Sequence, residues 1–313
     1  MYYLIVMGAG ALLCSLLYGL RVKSLRTGLL TLPLMLVLGA VMAKLLYVLP
    51  MLPQQWSRYG LGCLVHVDAE EFSLWGGVAG VCLAVALTAG TAKKTPGQAL
   101  DAFAPCGALL LAIARGAEYF LGTVYLHHGV IGLGNWIEDG SWNCFFPLAV
   151  QDEWGMWYGA VFMLEAAIAL AAALLSVTLF RRKQTFTRTL FFLLAAQVFT
   201  EMLHSQSIAW GFVRVEQLYC AVAMLILLFL HCRHAVVTKG AFTPCVGYLA
   251  GVAIIIYLEF ELDKSWISGL LESTGTDLGY TLATWDATFC YIVLFLVVVS
   301  MLLMERKAIR NRT

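Results

Sequence analysis

Nine long apolar stretches, separated by short polar segments, dominate the chain. A transmembrane helix needs about 20 mainly apolar residues to cross the ~30 Å hydrocarbon core of a bilayer. Each stretch is about that long, and no alternating strand pattern lies between them. The sequence therefore predicts an all-α polytopic membrane protein with about nine transmembrane helices, at residues 3–20, 28–49, 73–92, 98–122, 156–180, 189–206, 215–232, 242–260 and 281–304.

The composition agrees with this fold class. Hydrophobic residues make up 61% of the 313 residues and charged residues 12%, and the mean hydropathy is +0.83. These values exclude an ordinary soluble domain. The formal net charge of +1 gives no reason to expect nucleic acid as a partner. The nine cysteines are dispersed without a C-x-x-C pair, so neither a metal nor a cofactor is expected.

Basic residues fall mostly on one side of this plan. If the N-terminus lies outside, the outer loops hold Arg58, Arg214 and Lys264, while Lys44 and Arg115 lie within spans. The rest of the 20 lysines and arginines lie in inner loops or in the C-terminal tail. The positive-inside rule therefore predicts an outside N-terminus and a cytoplasmic C-terminus.

The two longest loops of this plan lie on the outer side, at 50–72 and 123–155. Loops longer than about 12–15 residues are usually functional or disordered, so we expect the second loop to gate substrate access. Cys63 and Cys144 lie in these loops, and a disulfide between them stays an open alternative.

An arginine within an apolar helix is the most informative polar residue. Arginine at the centre of a membrane helix costs about 2.5–3.5 kcal/mol even on insertion scales, so Arg115 needs an anionic partner or a wet cavity. Glu118 follows at helical spacing on the same face. Buried charges must pair or coordinate. Several further polar residues lie at a similar depth, near the outer ends of the spans, which predicts a polar site there. The other side chains at these ends are Lys44, Glu165, Glu201, His204, Glu216 and Gln217.

Simpler explanations exist for several of these residues. Lys44 would also reach the headgroups by snorkelling, Asp101 suits helix capping, and Arg115 with Glu118 would serve as a structural pair. A small-solute transporter with Lys44, Arg115 and Glu165 along its path is disfavoured, because the inner halves of the spans are nearly all apolar.

Six short motifs, spread over about residues 28–220, resemble the prolipoprotein diacylglyceryl transferases of bacterial membranes. The segment A-K-L-L-Y-V-L at 43–49 resembles the family's G-A-R-L-x-Y-V-L, and S-L-W-G-G-V-A-G at 73–80 resembles S-F-H-G-G-x-x-G. The segment D-x-x-A-P at 101–105, followed by Arg115, resembles D-x-x-A-P…G-R, and F-M-L-E-A at 162–166 resembles Q-L-Y-E-A. The segment E-M-L-H at 201–204 resembles E-F-x-R, and Gln217 corresponds to the glutamine of M-G-Q.

The resemblance implies a specific reaction. Such enzymes transfer a diacylglyceryl group from phosphatidylglycerol to the thiol of a lipobox cysteine in a secreted prolipoprotein. The expected partners are phosphatidylglycerol or another anionic phospholipid, the prolipoprotein signal peptide and the bilayer. The expected location is the bacterial cytoplasmic membrane, with the site facing its outer leaflet. The usual family plan has seven spans, so residues 1–240 are expected to form the family core and residues 241–313 a two-span extension.

The resemblance also assigns roles to individual residues. Arg115 and Lys44 have the charge and depth to bind the phosphodiester, and Glu165 and Glu201 would orient these cations. The remaining substrate-binding residues implied by the motifs are Tyr47, Trp75, Gly76, Gly77 and Gln217.

Three departures from the family pattern leave the catalytic base open. Trp75 stands at the position of the family histidine and cannot accept a proton, Glu118 replaces an asparagine, and His204 replaces an arginine. The base is therefore either His204, which suits proton transfer near neutral pH, or Glu118. The third alternative is a divergent relative that is non-catalytic or has an altered substrate, and that binds an anionic phospholipid through the same fold.

Overall fold

The computed structural model describes residues 2–66, 71–121, 132–152, 154–180, 184–205, 207, 209–210, 213–233 and 242–310. The helices of these ranges are α1 (Tyr2–Arg21), α2 (Leu25–Val48), α3 (Leu52–Tyr59), α4 (Leu74–Thr88), α5 (Pro96–Ala117), α6 (Val161–Thr178), α7 (Thr185–Glu201), α8 (Val215–Arg233), α9 (Thr243–Lys264), α10 (Trp266–Ser273) and α11 (Asp277–Arg310). The strands are β1 (Trp136–Ile137), β2 (Ala149–Gln151), β3 (Trp157–Gly159), β4 (Ala209–Trp210) and β5 (Val213–Arg214).

Eight helical segments in the described part of the chain are long and apolar enough to cross a membrane. They are formed by α1, α2, α4, α5, α6, α8, α9 and α11. The predicted helical polytopic fold is confirmed, but the sixth predicted span, 189–206, corresponds to the shorter helix α7. This helix has 17 residues, or ~25 Å at 1.5 Å per residue, because a turn at Met202 and Leu203 ends it before His204. The orientation of the termini stays a prediction.

The helices pack into two compact units. The first unit comprises residues 1–193 and 203–208, and the second comprises residues 194–202 and 209–313. The division into a core at 1–240 and an extension at 241–313 follows the sequence motifs and stays a prediction.

Close helix contacts organise the first unit, in which α2 packs on α4 and α1 and α6 pack on α5. Ser73 begins α4 by accepting a hydrogen bond from the Gly76 N–H at 3.1 Å. A Cβ at position 76 would lie 2.5 Å from the Met42 carbonyl oxygen, so only glycine allows this approach of the two helices. Small residues at such contacts are typical of membrane helix packing.

Asp101 caps a helix, but not the one that contains it. The capping box of α5 is formed by Thr95 and Gln98. The Asp101 carboxylate instead accepts a hydrogen bond from the Phe186 N–H, at the start of α7, at 2.8 Å. The sequence indicated a cap but placed it on the wrong helix, because the α7 N-terminus is 85 residues away.

The second unit is built on α8, α9 and α11. The Tyr248 hydroxyl of α9 donates to the Ala221 carbonyl of α8 at 2.8 Å. The rings of Phe199 and Phe295 meet edge to face with centroids 5.9 Å apart, which joins the end of α7 to α11.

Among the described residues, two small antiparallel sheets, of order β1-β3-β2 and β4-β5, interrupt the helical fold. The sequence did not predict them, because strands of two or three residues have no detectable alternation. The first sheet orders part of the loop predicted at 123–155. Residues 122–131 and 153 of this region, and residues 67–70 of the loop at 50–72, lie outside the described residues, so the gating role of the second loop stays a prediction.

Candidate active site

Arg115 lies in the last turn of α5, next to the Glu118 that follows the helix. Arg115 Nη1 donates to Glu118 Oε1 at 2.7 Å. Both residues are buried: 7% of the surface of Arg115 and 6% of that of Glu118 are exposed. Helical spacing thus brings the two groups together, as the sequence predicts.

Helix α6 supplies a second carboxylate to the same guanidinium. Glu165 Oε2 lies 2.8 Å from Arg115 Nε. The other carboxylate oxygen, Oε1, lies 3.2 Å from His204 Nε2, just after α7. Glu165 therefore bridges a guanidinium and an imidazole. We call the four buried residues Arg115, Glu118, Glu165 and His204 the Arg115 cluster.

Gly132 completes the surroundings of the Arg115 cluster. Its N–H donates to Glu118 Oε2 at 3.0 Å, and its carbonyl accepts from the Phe162 N–H at 2.7 Å. A Cβ at position 132 would lie 3.0 Å from His204 Nε2. Sequence reasoning missed this residue, because a glycine in a loop gives no signal of a contact with helices far along the chain.

The charge of the Arg115 cluster depends on the protonation of His204. With both carboxylates ionised, one guanidinium and two carboxylates give a net charge of −1 when His204 is neutral, and protonation of His204 makes the cluster neutral. Buried charges persist only when they are paired and hydrogen-bonded. With His204 protonated, the charges of the cluster balance, and the cluster is better able to accept an anion.

Lys44 belongs to a separate group of contacts in the first unit. Its Nζ lies 2.5 Å from Glu71 Oε2, and both residues are buried. Gln55 Nε2 donates to Glu71 Oε1 at 3.2 Å, and His66 Nδ1 lies 3.1 Å from Glu71 Oε2. The Lys44 ammonium also lies 5.7 Å from the ring centroid of Tyr47.

Glu71 neutralises the Lys44 charge. Burial raises the pKa of Glu71, but the hydrogen bonds with Lys44, His66 and Gln55 outweigh it, so the pKa is lowered from its ordinary value. The carboxylate is therefore ionised at neutral pH, and an anionic ligand at Lys44 would have to compete with it. Sequence reasoning missed Glu71, because a loop residue has no periodicity that relates it to Lys44 on α2.

The residues of the S-L-W-G-G motif lie at the start of α4. Trp75 is buried, and its Nε1 has no hydrogen-bond partner within the described ranges. Gly76 serves the packing of α4 on α2, as shown above, and a Cβ at Gly77 would make only ordinary contacts. A substrate-binding role for these residues stays a prediction.

Glu201 and Gln217 lie in the second unit. Gln197 Nε2 donates to Glu201 Oε2 at 2.9 Å, and Arg214 Nη1 donates to the Glu201 carbonyl oxygen. Gln217 Nε2 donates to the Val198 carbonyl at 3.0 Å. These contacts hold the last turn of α7, and a substrate-binding role for Glu201 and Gln217 stays a prediction.

Cys63 and Cys144 are free thiols in this structure. Cys144 Sγ donates to the Glu138 carbonyl oxygen at 3.3 Å. Within the described ranges, no group of three or more His, Cys, Asp or Glu side chains is arranged to hold a metal ion.

Comparison with known proteins identifies a family. A family model described as prolipoprotein diacylglyceryl transferase matches residues 1–233. No curated protein and no solved structure matches the chain. The match includes the Arg115 cluster, Lys44, Glu201 and Gln217, and it ends at the end of α8. The chain therefore belongs to the prolipoprotein diacylglyceryl transferases, integral membrane proteins of bacteria that act in lipoprotein biosynthesis.

Proposed function

We propose that this protein transfers a diacylglyceryl group from phosphatidylglycerol to the thiol of a lipobox cysteine in a prolipoprotein signal peptide. The reaction takes place at the outer leaflet of the bacterial cytoplasmic membrane. The observation that carries the proposal is the position of Glu165, whose two oxygens lie 2.8 Å from Arg115 and 3.2 Å from His204. One carboxylate thus joins a group that binds anions to a group that accepts protons.

The chemistry needs both kinds of group. The cysteine thiol loses its proton, because the thiolate is the nucleophile. Its sulfur forms a bond to the glyceryl carbon, the bond from that carbon to the phosphate oxygen breaks, and the electron pair leaves with glycerol phosphate. A base must therefore take the thiol proton, and a cation must stabilise the negative charge on the departing phosphate.

His204 is the base that the geometry favours. Glu165 orients the ring and stabilises the imidazolium, as the carboxylate of a catalytic triad does. The alternative base, Glu118, already accepts from Arg115 through Oε1 and from the Gly132 N–H through Oε2. Both oxygens of Glu118 are thus occupied by hydrogen bonds, and a thiol could reach Glu118 only by displacing one of them.

Arg115 is the phosphate-binding cation of the proposal. Its guanidinium is oriented by two carboxylates, Glu118 on Nη1 and Glu165 on Nε. A guanidinium has further N–H donors in the same plane, which suits a phosphate group. Lys44 is the second proposed cation, and Glu71 competes with the lipid for it.

A transfer assay tests the proposal. Purified protein is incubated with acyl-labelled phosphatidylglycerol and a lipobox peptide, and the diacylglyceryl thioether is quantified. We expect transfer by the wild type, a loss of about 10²–10⁴-fold in His204→Ala and Arg115→Ala, and a smaller loss in Glu118→Gln. Arg58→Ala is the matched control, because Arg58 is exposed.

Full activity in both His204→Ala and Arg115→Ala would refute the assigned site. A larger loss in Glu118→Gln than in His204→Ala would make Glu118 the base. Wild-type protein that binds phosphatidylglycerol without any transfer would instead favour the non-catalytic lipid-binding relative, for which the replacement of the family histidine by Trp75 is the supporting observation.

A further inference from the structure

The residue that follows His204 is bound to a distant loop. Ser205 donates twice to the Leu133 carbonyl oxygen, from its backbone N–H at 2.7 Å and from its hydroxyl at 3.2 Å. A backbone carbonyl oxygen has two lone pairs and accepts both bonds. The turn that carries His204 is therefore attached to a residue 72 positions away in the chain.

The loop that accepts these bonds is anchored to the Arg115 cluster. We call residues 132–134 the strap. The Gly132 N–H donates to Glu118 Oε2 at 3.0 Å, and the Gly132 carbonyl accepts from the Phe162 N–H, in the first turn of α6, at 2.7 Å. The first residue of the strap thus joins the carboxylate that pairs with Arg115 to the helix that carries Glu165.

The rest of the strap is held as firmly. The Gly134 N–H donates to the Gly159 carbonyl of β3 at 2.6 Å. The Leu133 side chain is buried, with 3% of the residue exposed, and belongs to a hydrophobic cluster with Ala160 and Phe162. The Leu133 carbonyl is therefore a fixed acceptor, and the Ser205 donors that bind it are fixed as well.

The strap closes a ring of contacts around the Arg115 cluster. In order, the ring contains Arg115, Glu118, the strap, Ser205, His204 and Glu165. Glu165 holds the His204 imidazole from one side, and Ser205 fixes the backbone next to it. The strap also lies against the imidazole, since a Cβ at position 132 would be 3.0 Å from His204 Nε2.

A role in ending α7 does not explain these contacts. Serine side chains near helix ends commonly bond to backbone groups of their own segment. Both donors of Ser205 instead reach the strap, which contacts the Arg115 cluster directly. Because a displacement of about 1 Å at a reacting group can cost about 10²-fold in rate, a bond that fixes the backbone beside the base should matter for catalysis.

We propose that Ser205 is a positioning residue of the transfer reaction, which keeps the His204 imidazole against Glu165 by binding the strap. Ser205 acts through His204. The effect on the transfer rate rests on the proposed transferase function, whereas the effect on the imidazole does not.

Four substitutions test the role of the hydroxyl in the transfer assay. Ser205→Ala and Ser205→Val remove the hydroxyl and should lower kcat by about three- to tenfold with little change in KM, as for the loss of one hydrogen bond. Ser205→Thr has nearly the shape of Ser205→Val but keeps the hydroxyl, and should retain most of the wild-type kcat. Ser176→Ala is the matched control, because the buried Ser176 hydroxyl donates to the Ala173 carbonyl within α6 at 2.6 Å.

A second measurement follows the imidazole without any transfer. Diethyl pyrocarbonate acylates unprotonated imidazole nitrogens, and peptide mass spectrometry gives the rate for each histidine of the full-length protein. We expect the His204 rate to rise by about three- to tenfold in Ser205→Ala and Ser205→Val, but not in Ser205→Thr or Ser176→Ala. The half-buried His66 is the internal reference, and its rate should stay constant. General loosening of the fold would change both histidines.

A double variant tests whether Ser205 acts through His204. In His204→Ala, the further change Ser205→Ala should alter the residual single-turnover rate by less than about twofold, because no imidazole is left to position. A loss in this background as large as in the wild type would overturn the proposal.

The remaining outcomes distinguish this proposal from the transferase function. No transfer by the wild type, with His204 modification raised in Ser205→Ala and restored in Ser205→Thr, would refute the transferase function and support the positioning of His204. Transfer that requires His204, with kcat and His204 modification unchanged in Ser205→Ala and Ser205→Val, would refute the role of Ser205 and leave the transferase function intact. Equal losses in Ser205→Thr and Ser205→Val would also refute that role, because the hydroxyl would then make no difference.

Discussion

Glu165→Gln is the sharpest test of the Arg115 cluster. The substitution keeps the shape of the side chain and removes the charge that joins Arg115 to His204. At 2.8 Å and an effective dielectric constant of ~20, the Arg115–Glu165 attraction is ~6 kcal/mol before desolvation. Breaking a buried pair costs about 3–5 kcal/mol net. We expect the loss of stability to lie near the lower end of this range, because Glu118 still lies 2.7 Å from Arg115.

The effect on catalysis should be larger than the effect on stability. Without the carboxylate at 3.2 Å, His204 loses both its orientation and the charge that stabilises its protonated form. The corresponding change in a serine protease triad lowers kcat about 10⁴-fold, so we expect a fall in kcat of about 10²–10⁴-fold. Single-turnover transfer at saturating phosphatidylglycerol measures it, and thermal unfolding in detergent reports the stability.

The controls make this prediction refutable. Glu138→Gln makes the same chemical change at an exposed position and should leave kcat unchanged. Adding Glu165→Gln to His204→Ala should lower kcat by a much smaller factor than Glu165→Gln does in the wild type, because residues that act as a unit give non-additive losses. A kcat for Glu165→Gln within about threefold of the wild type, in a folded protein, would show that the bridge has no catalytic role.

Three further substitutions have definite expected outcomes. Glu71→Gln should destabilise the protein by about 3 kcal/mol, because it leaves the buried Lys44 charge without its partner, and Lys44→Met in the same chain should restore part of the loss, as measured by thermal unfolding. The lowered pKa of Glu71 means that its contribution to stability is present above the ordinary value of 4.5 and is lost as the pH falls below it; stability profiles of the wild type and of Glu71→Gln should therefore converge in acid. Gly132→Ala should lower kcat with little change in KM, because the added methyl group pushes against His204 Nε2. Gly76→Leu should prevent the packing of α4 on α2 and abolish folded protein in size-exclusion chromatography.

Sequence reasoning identified the members of the Arg115 cluster but could not fix their pairing. The spacing of Arg115 and Glu118 gives their contact directly, because an α-helix places residues three apart on one face. Glu165 and His204 could be assigned only to a common depth. Which oxygen meets which nitrogen depends on how α6 and the turn after α7 pack, and no local pattern contains that information.

For Lys44, in contrast, sequence reasoning predicted a role but missed the residue that pairs with it. Its charge, depth and motif all pointed to phosphate binding, and its partner Glu71 was not anticipated. The two residues are 27 positions apart, and Glu71 follows a loop whose course hydrophobic periodicity cannot predict. The sixth predicted span, 189–206, extends beyond the end of α7 for a related reason, because a hydrophobic run does not reveal that a turn ends α7 at Glu201.

The departures from the family pattern have a common electrostatic consequence. Glu118 in place of asparagine adds a carboxyl group, and His204 in place of arginine removes a permanent positive charge. When Glu118 and Glu165 are both ionised, the cluster carries −1 until His204 takes a proton. In that state it attracts the thiol proton and binds a phosphodiester only weakly. Proton transfer to His204 removes the excess negative charge just as the departing phosphate gains its own. The attraction for phosphate is therefore stronger in the transition state than in the ground state, and an interaction of this kind raises kcat rather than lowering KM.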